Sequence, residues 1–271
     1  MVSPLSRPFF RFALSIGWIP LLLISGCVTK TEGPGSESEV PTVLRIGISD
    51  DRPPMSFREN RNLVGLEIDM GRAFAASLQR EPVFVQLPSS DLTNALSRGQ
   101  VDIVMAGMKI PPQPLADFEF TYPYLRVGQI AMVRRDREEA VVDGFSVSED
   151  GISFRGSVGV MAGSVGARFV ERSLNGASVV RFDRLETGIE ALNGGRIDMF
   201  VHEAPILWWL AAKQPGGRLK TLEFFFTEEY LAWVVKRENL WLFAEANRFI
   251  DTQTASGMIP ELVDKWMPLG N

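Results

Sequence analysis

The stretch LSRGQVDIVMAG, residues 96–107, decides the fold, because LNGGRIDMFVHE at residues 192–203 repeats its pattern. The alignment pairs Leu96 with Leu192, Gly99 with Gly195, and Asp102 with Asp198. In each copy a helical pattern runs into a glycine, which commonly ends a helix, and a strand pattern follows. The run VDIVMAGM, residues 101–108, is almost continuously apolar, as is typical of a parallel strand covered on both faces. This internal repeat therefore predicts two similar α/β units.

The segments around each copy extend this prediction. In the first half, alternating β-branched runs and helical periodicity predict strand, helix, strand, helix and strand at residues 43–49, 65–79, 83–88, 90–98 and 101–108. In the second half the same order is predicted at residues 157–161, 164–174, 178–182, 184–192 and 196–203. A βαβαβ order is typical of a doubly wound sheet, so the predicted fold class is α/β.

Two further strand-like segments follow the two halves. They are GQIAMVRR, residues 128–135, and YLAWVVKR, residues 230–237. We interpret both as strands that cross between two lobes, with the predicted helices at residues 239–255 and 259–267 returning to the first. The predicted domains are residues 42–130 plus 229–271 for lobe 1 and residues 131–228 for lobe 2. Two crossing strands would form a hinge, and a ligand cleft would lie between the lobes.

Charge and composition exclude several classes of function. The net charge is −5 without a basic run, which argues against a nucleic-acid partner. The only cysteine is Cys27, so no intramolecular disulfide can form, and the only histidine is His202. Metal sites or catalytic triads that need histidine would depend on that one residue. We predict no metal and no cofactor.

The N-terminus has the features of an export signal. Residues 1–26 contain two arginines followed by the apolar run at residues 12–24, which is shorter than the roughly 20 residues that a membrane-spanning helix needs. The alternative is a short N-terminal anchor helix. The sequence ISGC, ending at Cys27, resembles the lipobox of bacterial lipoproteins, which implies a lipidated cysteine and a protein held at a membrane in the periplasm or cell envelope. Residues 27–41 are polar and rich in Gly, Ser and Glu, as is typical of a flexible tether.

Six segments in order carry a resemblance to a known family. They are LRIGISDDRPPMSF, LVGLEIDMGRAFA, GQVDIVMAGMKIPPQP followed by FTYPY, VGVMAGSVGARFV, LNGGRIDMFVHEAP and LVDKWM. The chain from about residue 43 to 267 resembles the bacterial extracellular solute-binding proteins of family 3. The resemblance implies a type II periplasmic binding-protein fold, a monomer, a small solute bound between the lobes, and delivery to an ABC permease or a sensory role.

The resemblance also implies a set of cleft residues. Carried over by position, they are Arg52, Ala106, Gly107, Met108, Lys109, Pro114, Ser164, Val165 and Glu203. Family members usually have an aromatic residue at position 52, an arginine that binds the ligand carboxylate at position 114, a hydroxyl residue at 165 and an aspartate at 203. Since Pro114 offers no charge or side-chain donor, the usual arginine–carboxylate pair is missing from this chain.

Each of the charged candidates has a structural alternative. Arg52 is either a cation in the cleft or a surface residue of the RPP turn, and Lys109 is either a cleft cation or a solvated residue at its rim. Ser164 precedes a predicted helix whose first amides favour an anion, but it could equally cap that helix. Glu203 either accepts a bond from the ligand or caps the next helix. His202 should lie on the opposite face of the strand from Glu203 and is expected to be packed.

The resulting expectation is a lipoprotein receptor, without enzymatic activity, that closes on a small polar solute bearing an acidic group. An acidic group is expected because Arg52, Lys109 and the amides near Ser164 would surround it. The alternative is an enzyme that resembles the cyclohexadienyl and arogenate dehydratases, with Glu203 as a general acid beside Lys109 or Arg52.

Overall fold

The structure is a computed structural model that describes residues 42–268, with the backbone but not the side chain of Pro215. The predicted signal peptide, Cys27, the tether and residues 269–271 lie outside the described residues. The strands are β1 Val43–Ile48, β2 Asp51–Arg52, β3 Ser56–Glu59, β4 Asn62–Val64, β5 Glu81–Gln86, β6 Ile103–Lys109, β7 Phe118–Phe120, β8 Leu125–Val127, β9 Gln129–Arg134, β10 Phe145–Ser148, β11 Gly151–Phe154, β12 Ser157–Met161, β13 Leu174–Asn175, β14 Ser178–Phe182, β15 Met199–Glu203, β16 Leu219–Thr221 and β17 Glu229–Lys236. The helices are α1 Leu66–Ser77, α2 Leu92–Ser97, α3 Glu138–Asp143, α4 Val165–Ser173, α5 Leu185–Asn193, α6 Ala204–Lys213, α7 Leu240–Ala255 and α8 Met258–Trp266. Across residues 42–268 no helix has the length and apolar character needed to cross a membrane.

The first sheet has the strand order β5-β1-β6-β17-β7, and β8 pairs with the beginning of β17. Strand β1 runs parallel to both β5 and β6, whereas β17 runs antiparallel to β6. Alternate residues of β6 pack into two separate clusters, Ile103 and Met105 with α1, and Val104 and Ala106 with α2. Because successive side chains of a strand point to opposite faces, the two helices cover opposite faces of the sheet.

The second sheet repeats this arrangement with the order β14-β12-β15-β9-β16. Strand β12 runs parallel to both β14 and β15, and β9 runs antiparallel to β15. Helix α5 packs on the face that contains Phe200, and α4 packs on the face that contains Met199 and Val201. The predicted pair of doubly wound α/β units is therefore confirmed.

The two predicted crossing segments lie mostly within the sheets that they join. Strand β9 pairs along its length within the second sheet, and β17 pairs within the first. The chain passes between the sheets at Gly128, inside the first predicted segment, and again between β16 and β17, just before the second. Strand β9 is buried from Gln129 to Val133, and β17 from Leu231 to Val235.

The C-terminal helices α7 and α8 pack against α1 and the first sheet. Phe249 of α7 packs against Phe74 of α1 and Trp233 of β17, at ring-centroid distances of 5.3 and 5.9 Å. Helix α8 contributes Ile259 to the same buried cluster. The end of the described chain therefore completes the core on one face of the first sheet.

The repeated motif makes nearly the same backbone bonds in both halves. The amides of Gly99 and Gly195 each donate to the carbonyl three residues earlier at 3.0 Å, and both glycines have a positive φ, of 68° and 70°. Asp102 then accepts a bond from the Arg45 amide of β1 at 2.8 Å, and Asp198 accepts one from the Ser157 amide of β12 at 2.7 Å. The spacing that the two copies share thus places an aspartate where it accepts a backbone hydrogen bond from the neighbouring parallel strand.

Asp198→Ala tests this role in the second sheet. The substitution removes the acceptor of both the Ser157 amide and the Ser157 hydroxyl, each at 2.7 Å. We expect the free energy of unfolding to fall by about 2 kcal/mol, because two partly buried donors lose their partner. Chemical denaturation measures the change, and Asp183→Ala, at an exposed position, is the matched control. Equal stability of the two variants would contradict the assigned role.

Candidate functional site

A cavity of about 90 Å³ lies where the carboxyl ends of β6 and β15 face each other. Ligands of open α/β sheets bind at the carboxyl ends of the parallel strands, so this is the expected position for a site. The lining residues are Asp51, Arg52, Pro53, Met55, Gly107, Lys109, Val127, Gly128, Glu203, Pro205, Ile206, Glu229 and Leu231. The lining therefore combines residues from both sheets with the segment that passes between them.

Arg52 lies on the short strand β2 and lines the cavity. Its Nη1 donates to the Ala106 carbonyl at 3.1 Å. Ala106 is fully buried and does not line the cavity, so its part in the site is to bind Arg52 through its carbonyl oxygen. The structure thus places Arg52 in the cleft rather than on a remote outer surface.

Gly107 shapes the wall beside Arg52. Its φ of 61° is in the left-handed region that favours glycine, and its amide donates to Glu67 Oε1 at 2.7 Å. The next residue, Met108, does not line the cavity and packs against the cluster under α2. This follows from the alternation of the strand, which directs Gly107 and Lys109 to one face and Met108 to the other.

Three charged side chains meet at the centre of the site. Lys109 Nζ, at the end of β6, donates to Glu203 Oε1, at the end of β15, at 2.8 Å. Lys109 also forms an ion pair with Glu229 Oε2, at the start of β17. The three side chains are between 20% and 31% exposed, so the cluster is largely shielded from solvent. It joins the first sheet to the second.

The mutual contacts shift the pKa values of both partners. Burial opposes ionisation of Glu203, but the hydrogen bond and charge of Lys109 outweigh burial and lower its pKa. Burial likewise opposes the charged form of Lys109, and its bonds to Glu203 and Glu229 overcome this and raise its pKa. Both groups are therefore held in their charged forms at neutral pH.

His202 precedes Glu203 in β15 and binds its backbone amide. Its Nδ1 accepts the Glu203 amide proton at 2.7 Å, and it does not line the cavity, as the alternation of the strand predicts. Burial lowers its pKa, which keeps the imidazole neutral and able to accept this bond. Glu203 occupies the N-cap position of α6, but its side chain makes no capping bond there. Its carboxylate is directed to Lys109 instead.

The structure does not bring the other predicted residues to the cavity lining. Ser164 caps α4, since its Oγ accepts the Ala167 amide proton at 3.0 Å. Val165 is 37% exposed, and Pro114 is exposed in the segment between β6 and β7. Neither belongs to the lining residues. Across residues 42–268 no group of three or more His, Cys, Asp or Glu residues is arranged to hold a metal ion.

Glu67, which the sequence reasoning did not select, is fully buried behind the site. Its Oε1 accepts the Gly107 amide at 2.7 Å and the Tyr124 hydroxyl at 2.6 Å, and its Oε2 accepts Trp233 Nε1 at 2.9 Å. Burial raises its pKa, and the three donors together with the charge of Arg52 limit that rise. A signal was present, because Glu67 shares a helical face with Met70 and Phe74 of the buried core.

The chain is similar to known proteins over most of its length. Residues 44–269 match the family model described as bacterial extracellular solute-binding proteins, family 3. The ABC transporter arginine-binding protein 1 of Escherichia coli K12 is 24% identical over 232 residues, which cover 83% of this chain and 90% of that protein. The ABC transporter glutamine-binding protein GlnH of Bacillus subtilis is 22% identical, and the match covers 96% of this chain and 97% of that protein.

A solved structure of an ancestral cationic amino acid solute-binding protein is 25% identical, with a TM-score of 0.72, covering 83% of this chain and 96% of that one. A second structure of the same ancestral protein, described there as a precursor of cyclohexadienyl dehydratase, is 24% identical with a TM-score of 0.59, covering 83% of this chain and 95% of that one. Both solved structures have the type II periplasmic binding-protein fold, with the same mixed α/β architecture as this chain. The chain belongs to the bacterial extracellular solute-binding proteins, family 3.

Proposed function

We propose that the protein is an envelope receptor for a small solute that carries both a carboxylate and a cationic group. The two halves, residues 42–130 plus 229–271 and residues 131–228, would act as lobes that close on it. The observation that carries this proposal is the placement of a guanidinium, Arg52, in the same cavity as two carboxylates, Glu203 and Glu229. An anionic group alone, as the sequence suggested, would leave the surplus negative charge of the lining without a ligand partner.

The charge of the lining supports a dipolar solute. Arg52 and Lys109 are its cations, and Asp51, Glu203 and Glu229 are its carboxylates, which leaves one surplus negative charge. Arg52 uses Nη1 for the Ala106 carbonyl, so other guanidinium donors can bind a ligand carboxylate in a bidentate manner. A ligand ammonium would then share Glu203 and Glu229 with Lys109, which pairs with both. The names of the relatives, which refer to arginine, glutamine and cationic amino acids, support the same chemistry.

The remaining parts of the proposal concern export and delivery. Residues 1–26 would direct export, a lipid on Cys27 would hold the protein at a membrane of the cell envelope, and residues 27–41 would tether the binding part. Since two relatives are named as ABC transporter proteins, we propose that the closed receptor, a monomer, delivers its solute to an ABC permease. No cofactor enters this scheme.

The test begins with identification of the ligand. Native mass spectrometry of the full chain purified in detergent would detect a co-purified solute, and a thermal-shift screen of amino acids would confirm it. Arg52→Ala should weaken the affinity for that solute by about 30-fold, because a charge-assisted bond to a carboxylate is lost. Isothermal titration calorimetry measures the change. Arg248→Ala, at an exposed ion pair of α7, is the control and should bind normally. Unchanged affinity of Arg52→Ala would overturn its assignment as the anchor.

A dehydratase-like enzyme is the second candidate, and the relative described as a precursor of cyclohexadienyl dehydratase favours considering it. A general acid must carry a proton, whereas Lys109 lowers the pKa of Glu203 and keeps it ionised. This argues for a binding role of Glu203. Turnover of prephenate or arogenate by the purified protein would decide for the enzyme, and stabilisation by an unaltered amino acid would decide for the receptor.

A further inference from the structure

Lys109 occupies the position between the two carboxylates that a ligand cation would be expected to take. Its Nζ lies 2.8 Å from Glu203 Oε1 and also contacts Glu229 Oε2. The protein itself therefore supplies the cation that the two carboxylates bind. We propose that Lys109 is a specificity-determining residue that acts as a built-in occupant of this cation subsite. The proposal rests on the function proposed above.

The first consequence concerns the choice of solute. A ligand cation must share or displace an ammonium that both carboxylates already hold, so Lys109 disfavours cationic solutes and favours those that bring an additional anion. With Lys109 the lining carries one surplus negative charge, and without it two. At a distance of about 5 Å in a partly shielded site, one unit of charge changes an affinity by at least about 10-fold.

The second consequence concerns the empty receptor. Because Lys109 belongs to β6 of the first sheet and Glu203 to β15 of the second, their bond holds the cleft together in the absence of a ligand. At the rim, Lys213 of α6 pairs with Glu59 of β3 at 3.2 Å, and Trp209 packs edge-on against Phe57 at a centroid distance of 5.7 Å. The rim pair is about half exposed on both sides and contributes little. The Lys109 cluster is therefore the main polar link across the cleft.

The test uses Lys109→Met, which keeps most of the length of the side chain and removes its charge, with L-arginine, L-glutamine and L-glutamate as probes. Lys265→Met is the matched control, since its ion pair with Asp69, at 2.7 Å, lies within the first half. Calorimetry should show the affinity ratio of L-arginine to L-glutamate rising by at least about 10-fold in Lys109→Met and unchanged in the control. An unchanged ratio in Lys109→Met would overturn the proposal.

A second measurement does not depend on a ligand. Hydrogen–deuterium exchange of the ligand-free full chain in detergent should be at least about 3-fold faster in Lys109→Met at the ends of β6 and β15, because the cleft opens more often. Unchanged exchange would overturn the role of Lys109 as an internal occupant, even if the probes bind. Faster exchange in Lys109→Met, with no probe bound by any variant, would support that role and count instead against the amino-acid-like ligand of the proposed function.

Discussion

Glu67→Ala is expected to lower the free energy of unfolding by about 5 kcal/mol, more than any other single side-chain truncation near the site. The carboxylate is fully buried and accepts bonds from the Gly107 amide, the Tyr124 hydroxyl and Trp233 Nε1. Alanine leaves these three donors without an acceptor, at a cost of about 1–3 kcal/mol for each buried group that stays unpaired. It also leaves a small cavity.

Glu67→Gln separates the loss of bonds from the loss of volume. The amide has nearly the same shape, but its NH2 group must face one of the donors, so we expect a smaller loss of about 2 kcal/mol. For a domain of this size, 5 kcal/mol corresponds to a decrease in Tm of about 10–20 °C. Chemical denaturation and differential scanning calorimetry measure both variants.

The control for this series is Glu59→Ala, an exposed glutamate of β3 that should change the free energy of unfolding by no more than about 0.5 kcal/mol. The ranking is part of the prediction, with alanine at position 67 worse than glutamine and both worse than the control. A Tm of Glu67→Ala close to that of the unmodified protein would show that the three donors find other partners.

Glu67 also marks a limit of sequence reasoning. Local patterns identified the strand that became β6 and the glycine before it, because each depends on residues close in the chain. They also aligned Asp102 with Asp198, but the bond from the Arg45 amide to Asp102 joins residues 57 positions apart and was not predicted. The burial of Glu67 was indicated by its helical face, but its donors come from positions 107, 124 and 233, and no local pattern connects these positions.

The candidate site residues were selected from the sequence, but their contacts with each other were not. Lys109 and Glu203 were each selected, yet their contact joins residues that are 94 positions apart and depends on how the two sheets face each other. Met108 was included because the family resemblance carries over the whole segment by position, whereas one step along a strand changes the face. The predicted crossing segments were longer than the crossings themselves, since a buried apolar strand has the same pattern whether it lies within a sheet or leaves it.

The second large effect is expected at Gly128, where the chain passes from the first sheet to the second. The chain crosses at Gly128, directly beside the returning segment at Thr227. The Gln129 amide donates to Thr227 Oγ1 at 2.9 Å, the Phe226 amide donates to the Gln129 carbonyl at 2.8 Å, and the Ala204 amide donates to the Gly128 carbonyl at 2.9 Å. The two segments are thus fastened to each other and to the end of β15, next to the cavity.

Gly128→Ala is expected to lower the free energy of unfolding by about 3 kcal/mol and to weaken solute binding by about 10-fold. A Cβ at position 128 would lie 1.8 Å from the Thr227 carbonyl oxygen. Because that oxygen belongs to the backbone, no side-chain rotation can relieve the clash, and the two segments must separate. Separation breaks the bonds around Gln129 and displaces Glu203 relative to Lys109. Gly194→Ala, where the nearest atom to a Cβ lies at 3.2 Å, is the control and should change stability by no more than about 1 kcal/mol. Denaturation and calorimetry on both variants decide the outcome. If Gly128→Ala matched the control in stability and affinity, the close approach of the two segments at Gly128 would not be what holds Glu203 in place beside Lys109.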